Sequence, residues 1–266
     1  MQQRRGRFIA WLGILGVLAG ALVLGGAPAS GAARGATPTP MEKDDMGNCV
    51  IALGIGQEGD ACLHIIHASP DAPAVDVYLN GEKALEELAF GQTSGWVAVP
   101  AGEHQVQVTA AGRDLSTAVI DAEVTVEAGA AYEVAAVGFL ADIAPQVYQV
   151  NLSPVGTEVE PMARIRVVHA SPDAPAVDVA VKGGDVLIEE LAFPEASDYL
   201  EVPSGSYDLE VRVAGTTDVA LDLAGVMLEA GTVYSVYAIG LVGDGTLTVL
   251  PVVATTSAPA MATPTV

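Results

Sequence analysis

Two histidines each open the same run of eleven residues, HASPDAPAVDV, at 67–77 and again at 169–179. Behind His67 stand Asp71 and Asp76, and behind His169 stand Asp173 and Asp178. Carboxylates are hard oxygen donors, so Asp71 with Asp76, and Asp173 with Asp178, together with turn carbonyls, make a candidate calcium site in each copy. The spacing matches no EF-hand loop, and calcium takes about six to eight oxygens, more than two carboxylates supply. His67 and His169 also have a structural reading. Each ends an inward-facing strand at a turn, where a carboxylate or backbone carbonyl would hold the ring and brace the turn.

Other reactive pairings fall away on geometry. His64 and His67 are three apart, which in a strand puts them on opposite faces instead of on one metal. There is no G-x-S-x-G run, and His104 stands where the second copy has Tyr207, so no catalytic residue is assigned. Cys49 and Cys62 are expected to pair in an oxidising compartment, and two thiols alone do not make a four-ligand zinc site. Beyond calcium no cofactor is expected. The many acids leave a carboxylate-pair glycosidase open, so a secreted glycan hydrolase is the alternative to a non-catalytic reading. Trp96 and Tyr199 hold equivalent positions and alternate with inward Val97, Val99 and Leu200, Val202. Both are expected to face outward, either as stacking platforms for a sugar or protein partner or as cover for a sandwich edge or interdomain contact.

The elements that must position these residues are strands. Leu63, Ile65 and His67 alternate with His64 and Ile66, and the second copy has Ile165 and Val167 alternating with Arg164 and Arg166. The arginines predict that their face is the solvent face. Ser-Pro-Asp-Ala-Pro then carries two prolines three apart, which a central strand does not tolerate, so a turn follows. Val75, Val77 and Leu79 point inward on the next strand, and Asn80-Gly81 marks a hairpin. The stretch KALEEL has helical spacing, but the second copy places Val186, Leu187 and Ile188 before the shared EELAF, which favours extended chain. Strand, tight turn and strand recur at 96–108 and 199–211. Tyr132 and Tyr234 each follow an Ala-Gly corner and resemble the tyrosine corner that ties off immunoglobulin-like sandwiches, so both are read as structural.

The copies lie 102 residues apart, a domain-sized period, so the chain reads as two tandem immunoglobulin-like antiparallel β-sandwich domains, all-β, over 60–158 and 161–256. Residues 257–266 read as a disordered Thr/Ala/Pro tail, and 34–59, with Cys49, as a linker. Residues 1–33 carry three arginines ahead of an uncharged apolar run at 8–26 and then small residues, which is an export signal. The run suits a cleaved signal peptide and is also long enough, at about 20 residues, to stay as a membrane anchor. A secreted or cell-surface bacterial protein is expected, touching a membrane only through that segment. Removing those arginines takes the net charge from −22 to −25. So negative a field repels phosphate backbones, which argues against nucleic acid as a partner.

The HASPDAP opening, the LAF tripeptide, the VPAG and VPSG turns and the AG-x-x-Y strand together resemble the bacterial domain-of-unknown-function family 4397, over both repeats. The resemblance implies exported, tandem β-sandwich domains and brings no reaction or site residues with it. The expectation is therefore an exported non-catalytic module for extracellular binding, adhesion or envelope structure, with an extracellular protein or glycan as its partner.

Overall fold

A computed structural model describes residues 46–157 and 159–256. The export segment and the C-terminal tail read from sequence lie outside the described residues. Repeat 1 begins with a short helix, α1 (Cys49–Leu53), and continues in eight strands. These are β1 (Asp60–His67), β2 (Val75–Leu79), β3 (Glu82–Leu88), β4 (Thr93–Pro100), β5 (Gly102–Ala110), β6 (Ile120–Val126), β7 (Ala131–Val137) and β8 (Ala144–Val150). Repeat 2 follows the same plan with β9 (Met162–His169), β10 (Val177–Val181), β11 (Val186–Leu191), β12 (Leu200–Pro203), β13 (Gly205–Val213), β14 (Val219–Leu228), β15 (Thr232–Ile239) and β16 (Thr248–Thr255). KALEEL is strand, as its β-branched counterpart predicts, and Asn80 and Gly81 both take the left-handed φ of a tight hairpin, 53° and 81°.

Each repeat is a sandwich of two four-stranded sheets. In repeat 1 the order is β4-β1-β7-β8 over β3-β2-β5-β6, and in repeat 2 it is β12-β9-β15-β16 over β11-β10-β13-β14. Neighbours are antiparallel except β1 with β7 and β9 with β15, which run parallel. Leu63, Val77, Val106, Val124 and Val134 fill the first sandwich, while Val167, Val179, Val211 and Ile165 fill the second.

One expectation from the sequence is overturned here. The face of β9 that carries Arg164 and Arg166 is not a solvent face, since the two residues are only 5% and 4% exposed. Sheet β4-β1-β7-β8 lays its outer face on that of β12-β9-β15-β16, so Ile66, Ala135 and Val137 share one apolar cluster with Val168, Tyr237, Ile239 and Val252. The central strands are thereby buried on both faces, which is why β7 (AYEVAAV) and β15 (TVYSVYAI) read as almost unbroken apolar runs.

The supposed linker is also partly structural. Asn48 caps α1 by accepting the N–H groups of Val50 and Ile51, and Gly54 closes the helix in the left-handed region at φ 66°. Cys49 is bonded to Cys62 on β1 and is fully buried at one end of the seam between the repeats. As read from sequence, the disulfide ties the segment before the first sandwich onto that sandwich's first strand.

Candidate functional site

The repeated motif works as a clamp. At the end of β1 the His67 ring donates from Nε2 to the Pro73 carbonyl at 3.0 Å and accepts the Ser69 N–H at Nδ1 at 3.4 Å. His169 makes the same Nε2 bond to the Pro175 carbonyl, also at 3.0 Å. A carbonyl can only accept, so both rings hold their proton on Nε2. Burial lowers the pKa of His67, against the pull of the Pro73 bond. Each ring thus ties the second proline's neighbourhood back to the strand end, and the chain turns there.

The four aspartates named as calcium ligands have a different use. Asp71 Oδ1 accepts the N–H of Leu140 at 2.7 Å, and Asp173 accepts those of Val242 and Gly243 at 2.9 and 2.8 Å. Both carboxylates therefore hold the connection between the last two strands of their own repeat. Burial pushes the Asp173 pKa up, but the N–H groups of Gly243 and Val242 outweigh it and hold the carboxyl below its usual value. Asp76 accepts from the Glu87 N–H, the Gly112 N–H and the Lys83 ammonium. Those bonds, Glu87 first, hold its pKa at about 2. Asp178 repeats the pattern with the N–H groups of Glu190 and Gly215.

Glu87 and Glu190 sit at φ 54° and 53°, a strained region for a non-glycine residue, and each donates its N–H to the motif aspartate. Both oxygens of Asp76, Asp173 and Asp178 thus accept main-chain N–H groups, while Asp71 uses one of its two. Among the described residues no group of three or more His, Cys, Asp or Glu side chains could hold a metal ion.

Trp96 and Tyr199 do point away from their own sandwiches, but into the seam and not into solvent. The Trp96 ring stands edge-on to His64 at 5.0 Å, and its Nε1–H donates to the Val253 carbonyl of the other repeat at 3.4 Å. The Tyr199 ring lies under the Arg166 guanidinium at 4.8 Å. Of the two uses read from sequence, the structure gives both rings the interdomain contact.

What the sequence reading missed is the polar heart of that seam. Arg166 of repeat 2 reaches across to Glu133 of repeat 1 at 3.0 Å, and Tyr237 donates its hydroxyl to the same carboxylate at 2.7 Å. Arg166 also donates to the Gln149 carbonyl at 2.8 Å and to Ser235 Oγ at 2.9 Å. Arg164 donates to Asn151 and Ser153 of repeat 1 and pairs with Glu201. Burial, with the Glu133 charge beside it, pushes the Tyr237 hydroxyl far above its usual pKa, and burial pushes Tyr148 up to about 12. These phenols are locked as donors. One signal was available: Glu133 is a lone charge in an apolar strand, and its counterpart in the second copy is Ser235.

The tyrosine corners are present. Tyr132 and Tyr234 each accept the N–H of the glutamate five residues upstream, Glu127 at 3.3 Å and Glu229 at 2.9 Å. Between the sheets of repeat 2 lies an apolar space of about 240 Å³, bordered by β14 and β16, the edge strands of the two sheets. A space of about 220 Å³ in repeat 1 lies on the other edge, at β3 and β4.

Two eight-stranded sandwiches, joined face to face by a buried seam and each braced by a clamp built on the same motif, define a tandem β-sandwich protein. The family model described as a domain of unknown function (DUF4397) matches residues 61–159 and again 163–266, and the chain belongs to that family. No curated protein matches the sequence. Among solved structures it is similar to the Bacillus anthracis TIE protein, at 13% identity and a TM-score of 0.23, covering 69% of this chain and 34% of that one. The chain thus spans about a third of that protein's length. It is also similar to CBMbc, of family CBM26, from Eubacterium rectale Amy13K, solved in complex with maltoheptaose. That match has 10% identity and a TM-score of 0.23, covering 75% of this chain and 98% of that one.

Proposed function

We propose that the chain is an exported, non-catalytic binding or structural module of the bacterial cell surface, in which two sandwiches act as one rigid body. One observation carries the reading: the histidines and aspartates most able to do chemistry are already bonded to main-chain groups that hold the turns. Asp76, Asp173 and Asp178 engage both carboxylate oxygens in this way, and both histidines commit their Nε2 proton to a carbonyl, which suits them to holding turns and not to acting on a substrate. The buried seam supports a rigid body, because separating the repeats would expose an apolar face together with the Glu133–Arg166 pair. The disulfide suits an oxidising compartment, and among the described residues no helix is long and apolar enough to cross a membrane. The partner is an extracellular protein, glycan or small ligand, since a net charge of −22 repels nucleic acid.

Fractionation of cells expressing the chain, with thiol labelling and a panel of chromogenic glycosides, tests this reading. The expected result is protein in the medium or envelope with Cys49 and Cys62 unlabelled and no glycoside turned over. Cytoplasmic protein with free thiols, or turnover that tracks the purified chain, would overturn it.

A further inference from the structure

The space inside repeat 2 is walled by apolar side chains. Its walls include Val179, Leu209, Leu223 and Val236, and every lining side chain is aliphatic apart from Met227, Pro251 and Tyr234. Tyr234 carries the one hydroxyl among the lining side chains, and its oxygen accepts the Glu229 N–H. At about 240 Å³ the space exceeds the roughly 150 Å³ of an engineered aliphatic cavity that stays dry and takes up an apolar ligand.

A bulge lies beside its opening. In the β13/β14 ladder, Tyr207 pairs with Val226 and Leu209 with Leu223, so one residue of β13, Asp208, stands opposite two of β14, Ala224 and Gly225. Gly225 takes up the extra residue at φ 66°, and its N–H is held by Asp208 Oδ1 at 2.8 Å. The corresponding β5/β6 ladder of repeat 1 runs without a shift. An inserted residue bends and twists its strand away from regular pairing, and such bulges recur beside binding sites. On β16, Val249, Pro251 and Val253 alternate toward the sandwich interior while Val252 and Ala254 face the seam and are buried. Val253 is nonetheless 42% exposed, and Met227 at the rim of β14 is 62% exposed. Repeat 2 therefore leaves an apolar slot open along one edge.

The geometry points to this slot as a binding site for an unbranched alkyl chain, inserted between the two sheets with its polar end left at the β14/β16 rim. This deepens the reading of the chain as a binding module and rests on it. A peptide inserted between the sheets is a poor occupant, because its amides would find no hydrogen-bond partner among those side-chain walls. Met227, flexible and polarizable, suits the mouth of a site that admits chains of varied length. The acidic surface favours a cationic or neutral head over a carboxylate.

The test is calorimetric titration of the purified chain with n-decylamine and with decanoate, alongside co-sedimentation with phosphatidylcholine vesicles. Decylamine is expected to bind one per chain and more tightly than decanoate. Val236→Phe fills the slot and is expected to weaken both by roughly tenfold or more. Met227→Lys, at an exposed position that folding does not depend on, is expected to reverse the preference between amine and carboxylate. Co-sedimentation lost in Val236→Phe supports the site with a membrane lipid as the chain's source. Decylamine binding without co-sedimentation supports it with a free amphiphile as the source. Absence of binding by either probe, or binding that Val236→Phe and Met227→Lys both leave unchanged, overturns the assignment. Neither of those results touches export or glycoside turnover, on which the module reading stands separately.

Discussion

Burying an imidazole without a partner makes His64 the residue whose protonation state matters most to folding. It is 5% exposed, neither ring nitrogen finds a hydrogen-bond partner, and burial lowers its pKa to about 4. The unfolded chain takes the proton near the ordinary 6.5, so between pH 6.5 and 4 the unfolded state binds more protons and stability falls with pH. The loss across that window is on the order of 3 kcal/mol. Burial of His67 acts in the same direction. Melting temperatures measured from pH 7 to 4 should therefore drop in the wild type and drop clearly less in His64→Leu. Equal slopes would show that His64 is not buried as a neutral ring. From sequence His64 was readable only as facing away from His67; that its face meets another sheet was not, because the alternation of one strand carries no information about what lies above it.

At the scale of the element, the motif loop and the strands it braces are separable in strength. Asp76 is almost fully buried and accepts two main-chain N–H groups and a lysine, whereas the exposed Asp71 accepts one N–H. Removing a buried acceptor shared by three donors costs more than removing an exposed acceptor of one, so Asp76→Ala should cost about 2–4 kcal/mol and Asp71→Ala less than about 1 kcal/mol. Urea denaturation of the two variants checks this, and equal costs would mean that burial does not set the difference. The turn, the strands on either side and the Asn-Gly hairpin were all legible, because proline, glycine and period-two alternation are local signals. That the carboxylates serve the main chain was not legible. Their partners lie 69 residues away for Asp71 and 36 for the Asp76 bond to Gly112, and sequence spacing cannot show which donors folding brings to them.

The whole molecule is held by a charge pair that no single repeat contains. Glu133 and Arg166 are 1% and 4% exposed and meet at 3.0 Å across the seam. Glu133→Ala leaves a guanidinium buried without its counter-charge and should cost about 3–5 kcal/mol. Glu133→Leu with Arg166→Met removes both charges and should cost much less, since an apolar pair of similar volume often replaces a buried ion pair without loss. Thermal or urea unfolding of the two singles and the double forms the cycle that checks it. A double variant as unstable as Glu133→Ala alone would mean that the hydrogen bonds to Tyr237, Ser235 and Gln149, and not the charge balance, hold the seam.

By itself the sequence determined the β class, the two copies, most strands and turns, the disulfide and the tyrosine corners. Each rests on a periodicity, a turn residue or an internal duplication, signals carried within short stretches of chain. Only the tertiary structure decided that the sandwiches stack face to face, with Arg164, Arg166, Trp96 and Tyr199 inside the seam. It also decided that the motif aspartates bind main chain and that an inserted residue in β14 accompanies a slot at the edge of repeat 2. The physical reason is common to all of these. A strand has two faces, and whether the second meets water or another sheet depends on residues about a hundred positions away, in a copy of the same pattern whose docking leaves no periodic mark.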